Sequence, residues 1–377
     1  MSGRQERNYV IQTLRHVDFA LLASALALAL MGIVMVYTAT RAQLAQAGIS
    51  PHYYMERQVI WVFLGVALMV LVALFDYHLY QQWGYYIYGL VVCSLVGVFV
   101  IGTHVYGSQR WYHFGPLQLQ PSEFAPIGVI IAVATYCSRR KGVLEFREMV
   151  AILIIAGVPM GLVFVQPDLG TAILLGVSLS IMLVAAGVRL RYLLLLLVSV
   201  VTVVVLALQA HLLKPYQMQR LTGFLHPNSG LSSYNYDTSQ AKIAIASGGM
   251  SGTGLGAGSS TNGLFVPNQQ NDFIFSAVGE QLGFLGSAVV IGLFGIVAFR
   301  TLRAAQSARD NFGRMVCAGA LAFIGFSVFE NIGMTIGLMP VTGIPLPFIS
   351  YGGSAAFAFF ATVGLVLNVE MRRFGRR

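Results

Sequence analysis

Apolar stretches about as long as a bilayer is thick recur along the chain, separated by short polar breaks. A helix needs about 20 apolar residues to cross the hydrocarbon core. By that measure the pattern predicts ten spans: 19–38, 58–75, 84–102, 124–137, 149–165, 171–187, 192–212, 273–299, 315–338 and 352–369. The fourth, fifth and sixth are short or broken. Pro126 and Pro159 fall inside two of them, and Gln166-Pro167-Asp168-Leu169-Gly170 separates the fifth from the sixth. The first span follows Arg4, Arg7 and Arg15, as the core of a signal peptide would. It is long, however, and lacks a clear small-x-small cleavage site, so it reads as a retained span. The predicted fold class is an all-α integral membrane protein. It forms a single polytopic membrane domain over residues 1–377, with a long extracytoplasmic loop, 213–272, between helices 7 and 8.

That loop is unlike the others. It holds a turn signal at His226-Pro227-Asn228, a moderately amphipathic stretch around Ser239–Ser247, and a glycine-rich run from Ser247 to Gly263. A loop this long without structure of its own is uncommon in a compact protein and is usually functional. Within it, Gly252-x-Gly254-x-Gly256-x-Gly258 is not the dinucleotide pattern: no strand precedes it and no Lys-Ser/Thr follows. A flexible or close-packed backbone is the expectation there, rather than a phosphate cradle. Residues 339–354, with Pro340, Pro345 and Pro347 before Ser350-Tyr351-Gly352-Gly353-Ser354, read as a rigid external turn.

Composition supports the membrane reading. Hydrophobic residues make up 56% of the 377 positions and charged residues 10%, against about 25% charged in soluble domains; mean hydropathy is +0.73. A soluble enzyme, a disordered chain and a nucleic-acid reader are all excluded on that count. The net charge of +9 then reports topology. With both termini in the cytoplasm, the inside segments hold 17 of the 23 Lys and Arg residues and the outside segments 6. Cys93, Cys137 and Cys317 have no metal or disulfide spacing and read as packing residues.

Ionisable groups at membrane depth are costly and mark functional sites by default. Seven acids stand apart from the cytoplasmic segments: Glu56, Glu123, Asp168, Asp237, Asp272, Glu280 and Glu330. All but Asp237 and Glu330 lie at or near the outer end of a span. The external bases are few: Arg41, Arg57, Arg110, Lys214, Arg220 and Lys242. A sparse set of both signs beside the outer leaflet suits an anionic, lipid-linked substrate.

Asp272 directly precedes the apolar run Phe273-Ile274-Phe275, at a helix N-terminus. One reading is an N-cap. The other is a general base, kept ionised by the helix dipole and facing external water. Ser276 and Glu280 follow at i+4 and i+8, so one stripe of that helix is polar; Glu280 could equally pair with a buried base. Arg110 and Glu123 could form an ion pair that fixes a loop, and Asp168 could cap the next helix. Arg220 and Lys242 could hold a diphosphate by charge-assisted hydrogen bonds or attract anionic headgroups.

Taken together, several motifs are recognisable. They are Gln109-Arg110-Trp111, Gln120-Pro121-Ser122-Glu123, Gln166-Pro167-Asp168-Leu169-Gly170-Thr171, Tyr216-Gln217-Met218-Gln219-Arg220 and Ala241-Lys242-Ile243-Ala244 with Ser247-Gly248-Gly249. Asn271-Asp272-Phe273-Ile274-Phe275 and Pro345-Leu346-Pro347-Phe348-Ile349-Ser350-Tyr351-Gly352-Gly353-Ser354 complete the series. In this order, along nearly the whole chain, they resemble the SEDS family of bacterial shape, elongation, division and sporulation proteins. The elongation member is the nearer match and the division member the second.

The resemblance implies a peptidoglycan glycosyltransferase that polymerises lipid II, in the bacterial cytoplasmic membrane, during cell elongation. It implies as partners a class B penicillin-binding protein and other elongation-complex membrane proteins, and no nucleic acid. The family's essential aspartate maps onto Asp272. The candidate substrate-binding residues are Arg110, Trp111, Ser122, Glu123, Asp168, Arg220, Lys242, Glu280, Ser350 and Tyr351. The sequence names no definite cofactor; a divalent cation, magnesium or manganese, is one option at the diphosphate. The rival readings are a lipid II flippase and a non-catalytic scaffold. The sequence also departs from the family pattern. Asn268-Gln269-Gln270-Asn271 stands where Glu-x-His-Thr is usual, Pro126 where a Lys is frequent, and His226 where Asp is usual.

Overall fold

The computed structural model describes residues 16–105, 108–114, 117–140, 144–209, 215–225 and 233–373. The turn signal at His226-Pro227-Asn228, Lys214 and the terminal Arg4, Arg7 and Arg15 lie outside the described residues. The first half of the chain builds α1 (Phe19–Gln46), α2 (Tyr53–Leu74), the short α3 (Tyr77–Gln82), α4 (Gly84–Ile101), α5 (Ala125–Ser138), α6 (Phe146–Val165), α7 (Leu169–Ala185) and α8 (Leu190–Gln209). The long loop contains α9 (Pro215–Leu225), α10 (Ser233–Ser247) and α11 (Ser259–Asn262). The chain then closes with α12 (Ile274–Ser307), α13 (Asn311–Ile336) and α14 (Gly353–Met371).

Each predicted span overlaps one of these helices, and the last three residues of 192–212 lie outside the described residues. Eight segments are long and apolar enough to cross a membrane: α1, α2, α4, α5 with the 3-10 turn before it, α6, α12, α13 and α14; α7 and α8 supply shorter apolar stretches. The chain is thus a multi-pass, helical membrane protein. Pro126 does not break its span. It sits in the first turn of α5, where a missing N–H costs nothing because that amide has no helical partner. Two features were not anticipated. The long loop contains three helices among its described residues rather than lacking structure of its own. And residues 103–105, 108–114 and 117–119 form a small antiparallel sheet, β1 (Thr103–Val105), β2 (Ser108–Phe114) and β3 (Leu117–Leu119), with Thr103 opposite Trp111 and Tyr112 opposite Leu119.

Burial is graded across the bundle. The apolar window of α14 is 94% buried and that of α4 only 17%, so α14 is the central helix and α4 a lipid-facing one. α14 packs on α2 because small residues let the backbones approach. A Cβ on Gly65 would lie 2.5 Å from the Phe360 ring, and one on Gly364 would lie 2.7 Å from the Met69 carbonyl oxygen. At the far end Arg372 donates to the carbonyls of Ala73 (3.0 Å) and Leu74 (2.6 Å), and Asn368 to that of Val72 (2.6 Å). These bonds satisfy the orphan carbonyls where α2 stops. Asp18 caps α1 and pairs with Arg300 of α12 at 2.5 Å. Cys137 and Cys317 are buried, as expected of packing residues, whereas Cys93 is exposed.

α12 is broken at Gly283, whose φ of 65° only glycine adopts readily. The glycine-rich run repairs the break. Thr253 and Gly254 donate their N–H groups to the carbonyls of Glu280 and Gln281, and Phe284 and Leu285 donate theirs to Gly249 and Met250 (2.9–3.1 Å). A Cβ on Gly252 would lie 2.2 Å from the Gln281 oxygen. The run is therefore a close-packed brace on the outer half of α12, and its glycines serve contact rather than flexibility.

Candidate active site

Six aspartates occur in the sequence, and five lie at helix starts. Asp18, Asp76, Asp168 and Asp310 each accept backbone N–H bonds as N-caps. Asp272 does not. The N-cap position of α12 is Phe273, and no side chain caps that helix. The capping reading of Asp272 is thus not realised: among the described residues, no hydrogen bond engages its carboxylate. The group is partly exposed. Burial pushes its pKa up to about 6; the Arg220 charge opposes that rise and the Asp168 charge adds to it. A carboxylate with unspent lone pairs and a pKa near neutrality is suited to take a proton.

The motifs converge around it. Asp168 begins α7 after the break read from the sequence. Its Oδ2 accepts from Ser122 (3.1 Å) and Gln120 (3.3 Å), and its Oδ1 from the Thr171 N–H (3.2 Å). So Asp168 is both a cap and a tie to the Gln120–Glu123 motif. Glu123 lies in the 3-10 turn Pro121–Phe124, within electrostatic reach of Asp168 and Asp272. Arg220, on α9, donates to the Thr342 carbonyl at 3.2 Å.

The Pro-rich segment before α14 forms the opposite wall. Ser350 donates to the Asn271 carbonyl at 2.6 Å, and the Tyr351 N–H donates to the Gln270 carbonyl at 2.9 Å. Phe348 takes a φ of +65°, a strained conformation for a bulky residue. It is held there between the Phe359 and Phe360 rings, with centroids 5.9 and 5.1 Å away. The stretch 268–271, which departs from the family pattern, is held largely through its main chain. Of its side chains, Gln269 donates to Ser276 at 3.0 Å. Main-chain bonds do not depend on which side chains stand at 268–271, so the departure there does not remove them.

Other candidates fall elsewhere. Arg110, on β2, directs its guanidinium to the main-chain oxygens of Gln166 (2.6 Å) and Pro167, bracing the turn before α7. Trp111 lies on the same strand, where its carbonyl accepts from Thr103 at 3.2 Å. Glu280 is fully buried. It accepts from the Ser260 N–H (2.6 Å), the Thr261 N–H (3.0 Å) and the Thr261 hydroxyl (2.6 Å), so it caps α11 and, among the described residues, pairs with no base. Ser276 bonds back to the Phe273 carbonyl at 2.7 Å. The polar stripe on α12 is thus inward-directed. Lys242, on α10, is exposed, with its tip against Gly337 at the C-terminus of α13. That end of a helix dipole favours a cation.

Among the described residues, no three His, Cys, Asp or Glu side chains are grouped to hold a metal ion. The sequence reading left out Gln58, Asn331 and Thr342, and gave Gln120 only as part of a motif. The available signal was amide and hydroxyl groups at or near the outer ends of apolar helices. Buried oxygens of Gln58, Asn271, Glu330 and Asn331 have no hydrogen-bond partner among the described residues, so polar capacity is left over around the site.

Residues 19–374 match the family described as the FtsW, RodA and SpoVE cell cycle proteins. The chain is 33% identical over 361 residues to the probable peptidoglycan glycosyltransferase FtsW of Trichlorobacter lovleyi, covering 95% of this chain and 94% of that one. It is 33% identical over 363 residues to the peptidoglycan glycosyltransferase MrdB of Escherichia coli K12, with the same coverage of 95% and 94%. Among solved structures, it superposes with a TM-score of 0.82 and 28% identity on a chain from a peptidoglycan synthase complex described as coordinating polymerization and crosslinking. That match covers 96% of this chain and 99% of the other. Motifs, fold and relatives agree: this chain belongs to the FtsW/RodA/SpoVE family, the SEDS proteins.

Proposed function

We propose that the chain is a peptidoglycan glycosyltransferase that polymerises lipid II into β-1,4 glycan strands at the outer face of the bacterial cytoplasmic membrane, with both termini inside. The observation that carries this reading is the carboxylate of Asp272. It stands at a helix start without capping it, partly exposed, with a pKa pushed up to about 6.

In the reaction, the incoming lipid II offers a sugar 4-hydroxyl. Asp272 takes its proton as the oxygen attacks the anomeric carbon of the growing, lipid-linked strand. The new C–O bond forms as the bond from that carbon to undecaprenyl diphosphate breaks, and the diphosphate leaves with the electron pair. An α-linked diphosphate becomes a β-linked glycan, so one inversion suffices without a covalent enzyme intermediate. Arg220 is the base that acts on Asp272 and is assigned to the departing diphosphate. Lys242 of α10, the second candidate, would have to leave its place against Gly337 to reach it. Glu123, Ser122, Ser350 and Tyr351 would line the sugar path. Arg110, Asp168 and Glu280 hold the walls in place.

A class B penicillin-binding protein is the proposed partner. The similarity to a chain from a complex coordinating polymerization and crosslinking supports it. The motif forms favour the elongation role of RodA over the division role of FtsW. The test is glycan-chain synthesis from lipid II by the purified protein, with and without that partner, alongside a liposome assay of lipid II flipping. Strand synthesis supports the reading. Flipping without strand synthesis would assign the site to transport.

A further inference from the structure

We infer that Glu330 and Asn331, neighbours on α13, form a clamp that positions Asp272 and the Thr342–Ile344 turn beside it. This rests on the proposed reaction and adds residues outside every motif that led to it. Asn331 is fully buried. Its Nδ2 donates at 2.8 Å to the main-chain oxygen of Asp272 and at 2.8 Å to that of Ile344. One amide therefore ties the backbone of the proposed base to the facing turn. Glu330 grips the same turn one residue earlier on the helix: its Oε1 accepts from the Thr342 hydroxyl at 2.9 Å.

Between the two grips lies Gly343, with φ +82°. A Cβ there would stand 3.4 Å from Oδ2 of Asp272. The turn is thus held with its one side-chain-free residue against the reacting carboxylate, leaving room for an acceptor hydroxyl. The Thr342 carbonyl also receives Arg220 and closes over Gly170 at 3.0 Å from where its Cβ would be. Base, cation and the α7 start are all referenced to one turn, and that turn is referenced to α13. α13 is a suitable reference because its inner face is packed with Phe312, Met315, Phe323 and Ile324.

A general base works only within hydrogen-bond reach of the proton it takes, and a misplacement of about 1 Å can cost on the order of 100-fold in rate. The groups facing Asp272 are Arg220 of α9, Asp168 at the start of α7 and Glu123 of the 3-10 turn. Steady-state kinetics of strand synthesis on purified Asn331→Ala and Asn331→Asp test the clamp, each across a pH series. Asn331→Ala is expected to lower kcat by about 10- to 100-fold with KM for lipid II within about twofold. Asn331→Asp is expected to lower kcat and also to move the acid limb of the pH profile upward, because a further carboxyl then joins Asp168 and Glu123 around the base. A purely structural role would reduce folded protein and leave both the limb and the kcat of the folded fraction unchanged. Thr342→Val, outside the buried helix, removes the hydroxyl held by Glu330 and is expected to lower kcat several-fold. Folded Asn331→Ala with a parental kcat, or Thr342→Val with a parental kcat, would overturn the clamp. Either result with Asp272→Ala still inactive would leave the proposed base standing, so the two failures are distinguishable.

Discussion

The hydroxyl of Ser122 donates to Oδ2 of Asp168 at 3.1 Å, joining two motifs that lie 46 residues apart in the chain. Asp168 also accepts from Gln120 and from the first turn of α7. One carboxylate thus closes a helix end and fixes the wall of the site. Replacing it with Ala removes a cap and strands two side-chain donors, one of them the Gln120 amide. The cost is about 3 kcal/mol. Asp168→Asn retains an acceptor and loses less. Thermal unfolding in detergent should rank the proteins parent, Asp168→Asn, Asp168→Ala. Equal melting temperatures for parent and Ala variant would contradict this role.

Strand synthesis should depend on pH through Asp272. The base acts when ionised, and burial has raised its pKa to about 6. Activity is therefore present above pH 6 and lost as pH falls through that value. Arg220 favours the ionised form, so Arg220→Ala should move the acid limb to higher pH as well as weaken the handling of diphosphate. A pH–rate series on the two proteins reads both effects. An Arg220→Ala limb that stays or moves down would show that the cation does not act on this base.

Glu280 looked like part of a polar stripe aimed at the substrate. Its three bonds to Ser260 and Thr261 assign it to the loop instead. Glu280→Ala should destabilise the α11 segment by on the order of 3 kcal/mol and open residues 248–263 to protease. Activity should be lost in proportion to the folded fraction. Loss of activity with undiminished protease resistance would move Glu280 back into the chemistry.

Arg110 donates to two main-chain oxygens before α7. A lysine cannot reproduce the planar fork, so Arg110→Lys should behave nearly as badly as Arg110→Ala. If Lys restored parental turnover, charge alone would be the requirement and a phosphate contact would be favoured over bracing.

Much of this was legible in the chain. The ten apolar runs marked the helices because bilayer thickness sets a length that composition reveals directly. The unusual outer loop, and Asp272 at the start of an apolar run, were visible as local pattern. The brace formed by Gly249–Gly254 was not, because its partners are backbone groups of a helix broken at Gly283. The β1–β3 sheet was missed because its strands, three to seven residues long, are too short to show a periodic pattern. Asn331 stood inside an apolar span with no motif around it. Its role depends on which carbonyls the folded chain brings to it, 59 and 13 residues away. The separate fates of Arg220, Arg110 and Lys242 had the same cause: all three are outer-face cations in sequence, and tertiary contacts alone tell them apart.

The central claim is that Asp272 is the general base of strand synthesis. A positioned base contributes about 10²–10⁴-fold to rate. The direct test is the initial rate of glycan-strand formation from purified lipid II by the parent protein and by Asp272→Asn, which keeps the shape of the side chain and removes its basicity. A fall of about 10²–10⁴-fold, with melting temperature and lipid II binding retained, is the predicted result. A parental rate from folded Asp272→Asn would contradict it.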